Sequence, residues 1–120
     1  MPGARAALEA ALALRPETGD LLAAGATLNN LAAVSSAQGD PAAAVDYYER
    51  ALAVRRQIED VAGQAHTLYN LGILCTDLDD LDRAEIALAE AVALDEQYDL
   101  PQISRDRKAL LKIRSRQIHS

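Results

Sequence analysis

The chain has 120 residues, half of them hydrophobic, with 12 Lys and Arg, 18 Asp and Glu, four Tyr, one Cys and no Phe or Trp. That length suits one domain with a continuous core, the lone Cys75 excludes an intramolecular disulfide, and no segment is long enough to span a membrane. The net charge of −6 hides an asymmetry, −11 over residues 1–104 and +5 over 105–120, and an acidic body argues against the broad phosphate-binding footprint of a nucleic-acid protein.

About one residue in five is Ala, the strongest helix former and one that lets helices approach closely, so the expectation is all-α. The opening stretch, MPGARAALEAALALRP, is broken by Glu9 and lacks the basic start and continuous apolar run of a signal peptide; it predicts a helix near 4–15. Further helices are expected near 20–38, 41–58, 61–78, 81–97 and 100–117. Between the second and third, Gly39-Asp40-Pro41 offers a left-handed helix stop, an N-cap carboxylate and a proline in the first turn. Asp79-Asp80-Leu81 keeps the cap and replaces the glycine with Asp, which tolerates the left-handed conformation. Asp99 with Gln102 predicts a capping box for the last helix, with Pro101 in its first turn. Apolar stripes run along Val61, Ala65, Leu68, Leu71, Cys75 and Leu78, and along Leu81, Ala84, Leu88, Ala91 and Val92. Helices joined so briefly must pack antiparallel. Tyr48 is assigned to the core and its neighbour Tyr47 to the outer or inter-repeat surface.

The chain also repeats itself. Thr27, Leu28, Asn30, Leu31, Asp40, Ala44, Ala51, Ala53 and Gln57 recur forty residues later as Thr67, Leu68, Asn70, Leu71, Asp80, Ala84, Ala91, Ala93 and Gln97. A tandem unit of this size buries its apolar faces against its neighbours and yields a short solenoid with a concave face.

Leu28, Leu31 and Ala32 before Gly39, Ala44, Tyr48 and Ala51, and Leu68, Leu71 and Gly72 before Ala84, Leu88 and Ala91, resemble the tetratricopeptide repeat. HEAT and armadillo repeats have comparable periods but do not predict the Gly/Asp turn followed by Ala at this spacing. The 40-residue period, with Leu-Asn-Asn-Leu and Tyr-Asn-Leu-Gly, is similar to the longer-helix subclass of kinesin light chains and Leu-Gly-Asn repeat adaptors. The resemblance implies one domain over 1–120: the second helix of a partial repeat at 1–19, repeats at 20–59 and 60–99, and a basic capping helix, or the start of another repeat, at 100–120. The expected architecture is an antiparallel helix-pair solenoid of about six helices, and its opening half-repeat suggests a fragment or a cut-down module.

In this family the first helix of each pair lines the groove, and an Asn two positions before the small residue hydrogen-bonds the backbone of a bound peptide. Asn30 and Asn70 hold that position, and an amide offers the donor and acceptor that a peptide group requires. Helical geometry adds Asn29, Ala33, Ser36 and Ala37 from the first repeat and His66, Tyr69, Ile73 and Asp77 from the second. The groove so built is neutral to slightly acidic, and with no Lys or Arg on these helices no clamp for a terminal carboxylate is expected. On the last helix Arg105, Lys108, Lys112 and Arg116 form a basic stripe opposite Ile103, Leu110, Leu111, Ile113 and Ile118, read first as a solubilising cap and alternatively as contact for an anionic partner. Arg107 and Arg114 are expected to pair with carboxylates such as Asp95 or Glu96.

His66 lacks a nucleophile or carboxylate in support, Cys75 falls in the apolar stripe, and Asp77, Asp79, Asp80 and Asp82 lack the ladder and closing Glu of a calcium loop. No catalytic residue, metal site or cofactor is therefore expected. The sequence reads as a cytoplasmic protein–protein interaction module that binds a peptide segment in its groove. Self-association through exposed repeat ends and nucleic-acid or anionic contact through the basic helix are the rival readings.

Overall fold

A computed structural model of the protein describes residues 3, 5, 6, 9 and 20–119. Gly3, Arg5, Ala6 and Glu9 are helical, in keeping with a first helix near 4–15; the rest of that element lies outside the described residues. Five complete helices follow among the described residues: α1 (Leu21–Ala37), α2 (Pro41–Gln57), α3 (Val61–Asp77), α4 (Leu81–Tyr98) and α5 (Ile103–His119). They fall into two compact units, Met1–Asp60 and Val61–Ser120.

The helix ends obey one rule. Gly39, Glu59, Asp79 and Asp99 all have positive φ, 77°, 56°, 61° and 54°, and they stand at intervals of twenty residues. At Gly39 the amides of Gly39 and Asp40 donate to the carbonyls of Ser36 and Ser35 at 3.1 and 2.9 Å; Glu59 and Asp60 repeat this onto Arg56 and Arg55, and Asp79 and Asp80 onto Thr76 and Cys75. This paired closure satisfies carbonyls that a helix end would otherwise leave open. Asp40 and Asp80 then cap the next helix, accepting from the amides of Ala43 at 3.2 Å and Arg83 at 3.3 Å. The expected capping box at Asp99 does not form. Asp99 is the left-handed stop of α4, and α5 begins later, with the Asp106 amide donating to the Gln102 carbonyl at 3.0 Å.

In the first unit α1 packs on α2 through Leu28, Leu31 and Ala32 against Ala44, Tyr48, Ala51 and Leu52, all buried. Tyr47 is as buried as Tyr48. Its hydroxyl donates to Glu9, and Arg5 and Arg50 stand 5.8 and 5.4 Å from its ring centroid. Two adjacent aromatics are buried because the helical residues before α1 cover the face of α2 that Tyr48 leaves. Arg5 also donates to Asp40 at 3.1 Å.

In the second unit α3 packs on α4, and α5 packs on α4 and touches α3. Gly72 marks the closest approach, since a Cβ placed there would lie 2.6 Å from Cγ of Leu88. Cys75 is fully buried, and its counterpart Ser35 has a buried hydroxyl with no hydrogen-bond partner.

The seam under α5 holds two fully buried carboxyl groups, Asp95 and Asp106. Asp106 Oδ1 accepts from Arg105 Nε at 2.9 Å. No N–H donor serves either oxygen of Asp95 or Oδ2 of Asp106, so the hydrogen that joins the pair has to be the carboxyl's own. Burial first, then the hydrogen bond to Asp106 and its charge, push Asp95 up to about 7 against the opposing charges of Arg105 and Arg107. Exposed ion pairs flank the seam, Arg107 to Glu96 at 2.8 Å, Arg114 to Glu85 at 2.9 Å and Arg116 to Asp79 at 3.1 Å. The apolar sector expected on this helix is divided: Leu110 and Ile113 are buried, whereas Leu111 and Ile118 face solvent.

Glu59 and Asp99 carry side chains in a conformation that disfavours them, so Glu59→Gly and Asp99→Gly should each raise stability by about 0.5–1 kcal/mol in urea unfolding, less than the full left-handed penalty because glycine also loosens the unfolded chain. Gly72→Ala should lower stability by about 1–3 kcal/mol by driving Leu88 off its position. A pKa raised from 3.8 to about 7 in the folded state means that the Asp95 contribution is complete below pH 4 and disappears as pH rises through 7. Melting at pH 5.5 and pH 8 should therefore show Asp95→Asn more stable than the parent at the higher pH, with the gap closing at the lower one.

Candidate functional site

The 3.6-residue period of α3 places Tyr69, Ile73, Thr76 and Asp77 along one edge, and these four line a cavity of about 640 Å³. Across from them stand Arg105, Lys108, Ala109, Lys112, Ile113 and Arg116 of α5, with Leu88 of α4 between. The floor is apolar, and Leu88 and Ile113 are the large buried side chains beneath it. Leu88 reaches the floor because Gly72 leaves space for it.

Two residue sets that the sequence separated, the α3 groove residues and the basic stripe of α5, therefore face each other. The neutral to slightly acidic groove expected from the repeats alone is in fact lined by four cations and one carboxylate, Asp77. The reason is the orientation of α5. Its buried stripe is Ile103, Asp106, Leu110, Ile113 and Gln117, half-buried at the ends and fully buried between, and turning that stripe inward carries Arg105, Lys108, Lys112 and Arg116 to the α3 side. Arg107 and Arg114 go to the opposite side, where they meet carboxylates of α4.

Arg105 is the most firmly held of the four cations. Its guanidinium carbon lies 3.7 Å from the centroid of the Tyr69 ring, and its Nε donates to the buried Asp106, so a cation–π contact and a charge-assisted hydrogen bond fix one end of the groove. Arg116 leans on Asp79, an exposed pair easily exchanged. Lys108 and Lys112 are exposed and have no hydrogen bond or ion pair among the described residues.

Of the other predicted residues, His66 is exposed and Asn70 half-buried on α3, beyond the lining, with Asn70 Nδ2 at 3.2 Å from His66 Nε2. On α1, Asn30, Ala33, Ser36 and Ala37 are exposed and Asn29 is half-buried. Leu88, Ala109 and Ile113 were not singled out as groove residues. For Ile113 the signal was the three- and four-residue spacing of the α5 stripe, which Asp106 disguises. Among the described residues no three His, Cys, Asp or Glu side chains are grouped to hold a metal ion, and no helix is long and apolar enough to cross a membrane.

A family model described as tetratricopeptide repeat matches residues 1–57 and, in an overlapping placement, residues 24–97. No curated protein matches the chain significantly. Repeats of this kind generally mediate protein–protein interaction. The matched residues take in the paired helices, the left-handed turns and the small residues at the helix crossings, and the chain belongs to the tetratricopeptide repeat family.

Proposed function

We propose that the chain is an adaptor or regulatory module that holds a peptide segment of a partner protein in the groove between α3 and α5. The observation that carries this reading is the groove itself: an apolar lining in which Tyr69, Ile73 and Ala109 reach solvent above the buried Leu88 and Ile113, with charged groups along its rim. An apolar centre with a polar rim is the anatomy of a protein-binding site. Asn70, on α3 beyond the lining, offers its amide to the backbone of the segment, a bond contributing about 1 kcal/mol net, and Asn30 offers the same chemistry at the equivalent position of α1 in its own unit. The 40-residue period supports a place in the longer-helix subclass with kinesin light chains and Leu-Gly-Asn adaptors. A buried Cys75 thiol suits a reducing cytoplasm. The groove offers surface chemistry, and the reading assigns it no catalysis and no cofactor.

A photo-crosslinking residue placed at Ile73, on the groove edge, should trap a partner protein from cell extract. The same residue at Ile86, exposed on α4, should not. Equal trapping from both positions, or trapping from Ile86 alone, would remove the groove from consideration.

A further inference from the structure

We infer that the segment taken by this groove is an internal acidic stretch in which carboxylate side chains alternate with apolar ones. The inference rests on the groove reading above and adds the chemistry of the occupant.

Arg105, Lys108, Lys112 and Arg116 are strung along one edge of α5 over eleven residues, a rise of about 16 Å. A terminal carboxylate is a single point of charge and would call for two cations converging on it. A line of cations instead suits a series of side-chain carboxylates. From Lys108 to Lys112 and from Lys112 to Arg116 the helix rises about 6 Å per step, and alternate residues of an extended chain are about 6.6 Å apart. Three carboxylates at every second position thus stay in register with three cations. Successive side chains of an extended segment point to opposite sides, so the intervening residues face α3, where Tyr69 and Ile73 are apolar.

The state of each cation agrees. Lys108 and Lys112 stand exposed without a partner among the described residues, Arg116 is held only by the exposed Asp79, and Arg105 is braced from behind by Asp106 and Tyr69. Asp77, the one carboxylate in the lining, bounds the acidic register on the α3 side. Nucleic acid fits less well, because the apolar lining of Tyr69 and Ile73 offers a polyphosphate backbone no contact, whereas a peptide that alternates acidic and apolar residues uses both the cations and the apolar side.

The test uses the full chain and three labelled peptides with acetylated and amidated ends. One alternates three Glu with two Leu, one carries the same residues as a Glu block followed by a Leu block, and one replaces Glu by Gln in the alternating order. Fluorescence anisotropy should show the alternating acidic peptide binding about tenfold more tightly than the other two, a difference of about 1.4 kcal/mol. Salt should weaken it, and Lys108→Glu with Lys112→Glu should weaken it about tenfold. Both positions are exposed, and circular dichroism checks that the variant stays folded. Equal binding of the Gln peptide, unaffected by the charge reversal, overturns the acidic inference and leaves the groove reading in place. Equal binding of the block isomer overturns the alternation, and failure of the capped alternating peptide to bind where the same peptide with a free C-terminus does bind overturns the internal segment. Dimerisation of the chain that is lost on charge reversal would identify a second copy as the occupant and overturn the proposal. Should no peptide bind and Ile73 trap nothing, the groove reading falls together with it.

Discussion

A left-handed residue every twenty positions fixes the length of the helices in this chain, and most else follows from it. Once the turns at Gly39, Glu59, Asp79 and Asp99 close, α1 to α4 have nearly the same number of turns, and α1 and α3 each begin a pair in the same phase. Residues forty apart in sequence then occupy the same place on their helices. The recurrence of Asn30 as Asn70, or Ala44 as Ala84, is the chemical trace of that geometry. Only one of the four stops is glycine, so the turn is imposed by the hydrogen bonds it closes and by the packing it permits more than by local preference.

Within the second unit, depth of approach decides what the groove can be. Gly72 lets α3 close on Leu88; the first unit has Ala32 and Tyr48 at the equivalent positions. The result is a smooth aliphatic floor. The walls are electrostatic, and there the chain uses two kinds of interaction. Exposed pairs such as Arg107 with Glu96 and Arg114 with Glu85 contribute little energy each but select which side of α5 turns toward α4. The buried Asp95 and Asp106 are a costlier arrangement, because two carboxyl groups removed from water hold only one charge comfortably. What the arrangement accomplishes is visible in Arg105, whose guanidinium is held flat over Tyr69 by an acceptor that solvent does not reach.

Helices, their ends and the buried stripes of the repeats were legible in the sequence because Asp40, Asp80 and Gly39 act locally, through bonds to residues a few positions away. The stop at Glu59 was not, since glutamate carries no left-handed preference, although its place midway between Gly39 and Asp79 was a clue. How completely Tyr47 is buried was not legible for the converse reason: what covers it is Arg5 and Glu9, nearly forty residues distant. The misreading of the groove has the same origin. Which face of α5 turns inward depends on Asp106 lying in a buried stripe, and an acidic residue there breaks the apolar pattern by which a core face is recognised. The residues of the site were thus largely identifiable one at a time, whereas their confrontation across a single groove was a property of tertiary packing.

The position of those cations on α5 has a consequence for how such a surface would be supplied to a partner. α5 is joined to the rest of its unit by two large buried apolar side chains, a carboxyl pair that prefers a proton, and rim contacts open to solvent. A helix seated by so few buried contacts opens more readily than the cores of the repeats, and when it lifts away the wall of the groove departs with it. The measured affinity is then the intrinsic affinity scaled by the fraction of molecules in which α5 is seated. Occupancy of the groove and protection of the α5 amides from exchange are two readings of one equilibrium, and anything that clamps the helix acts on binding without touching the ligand.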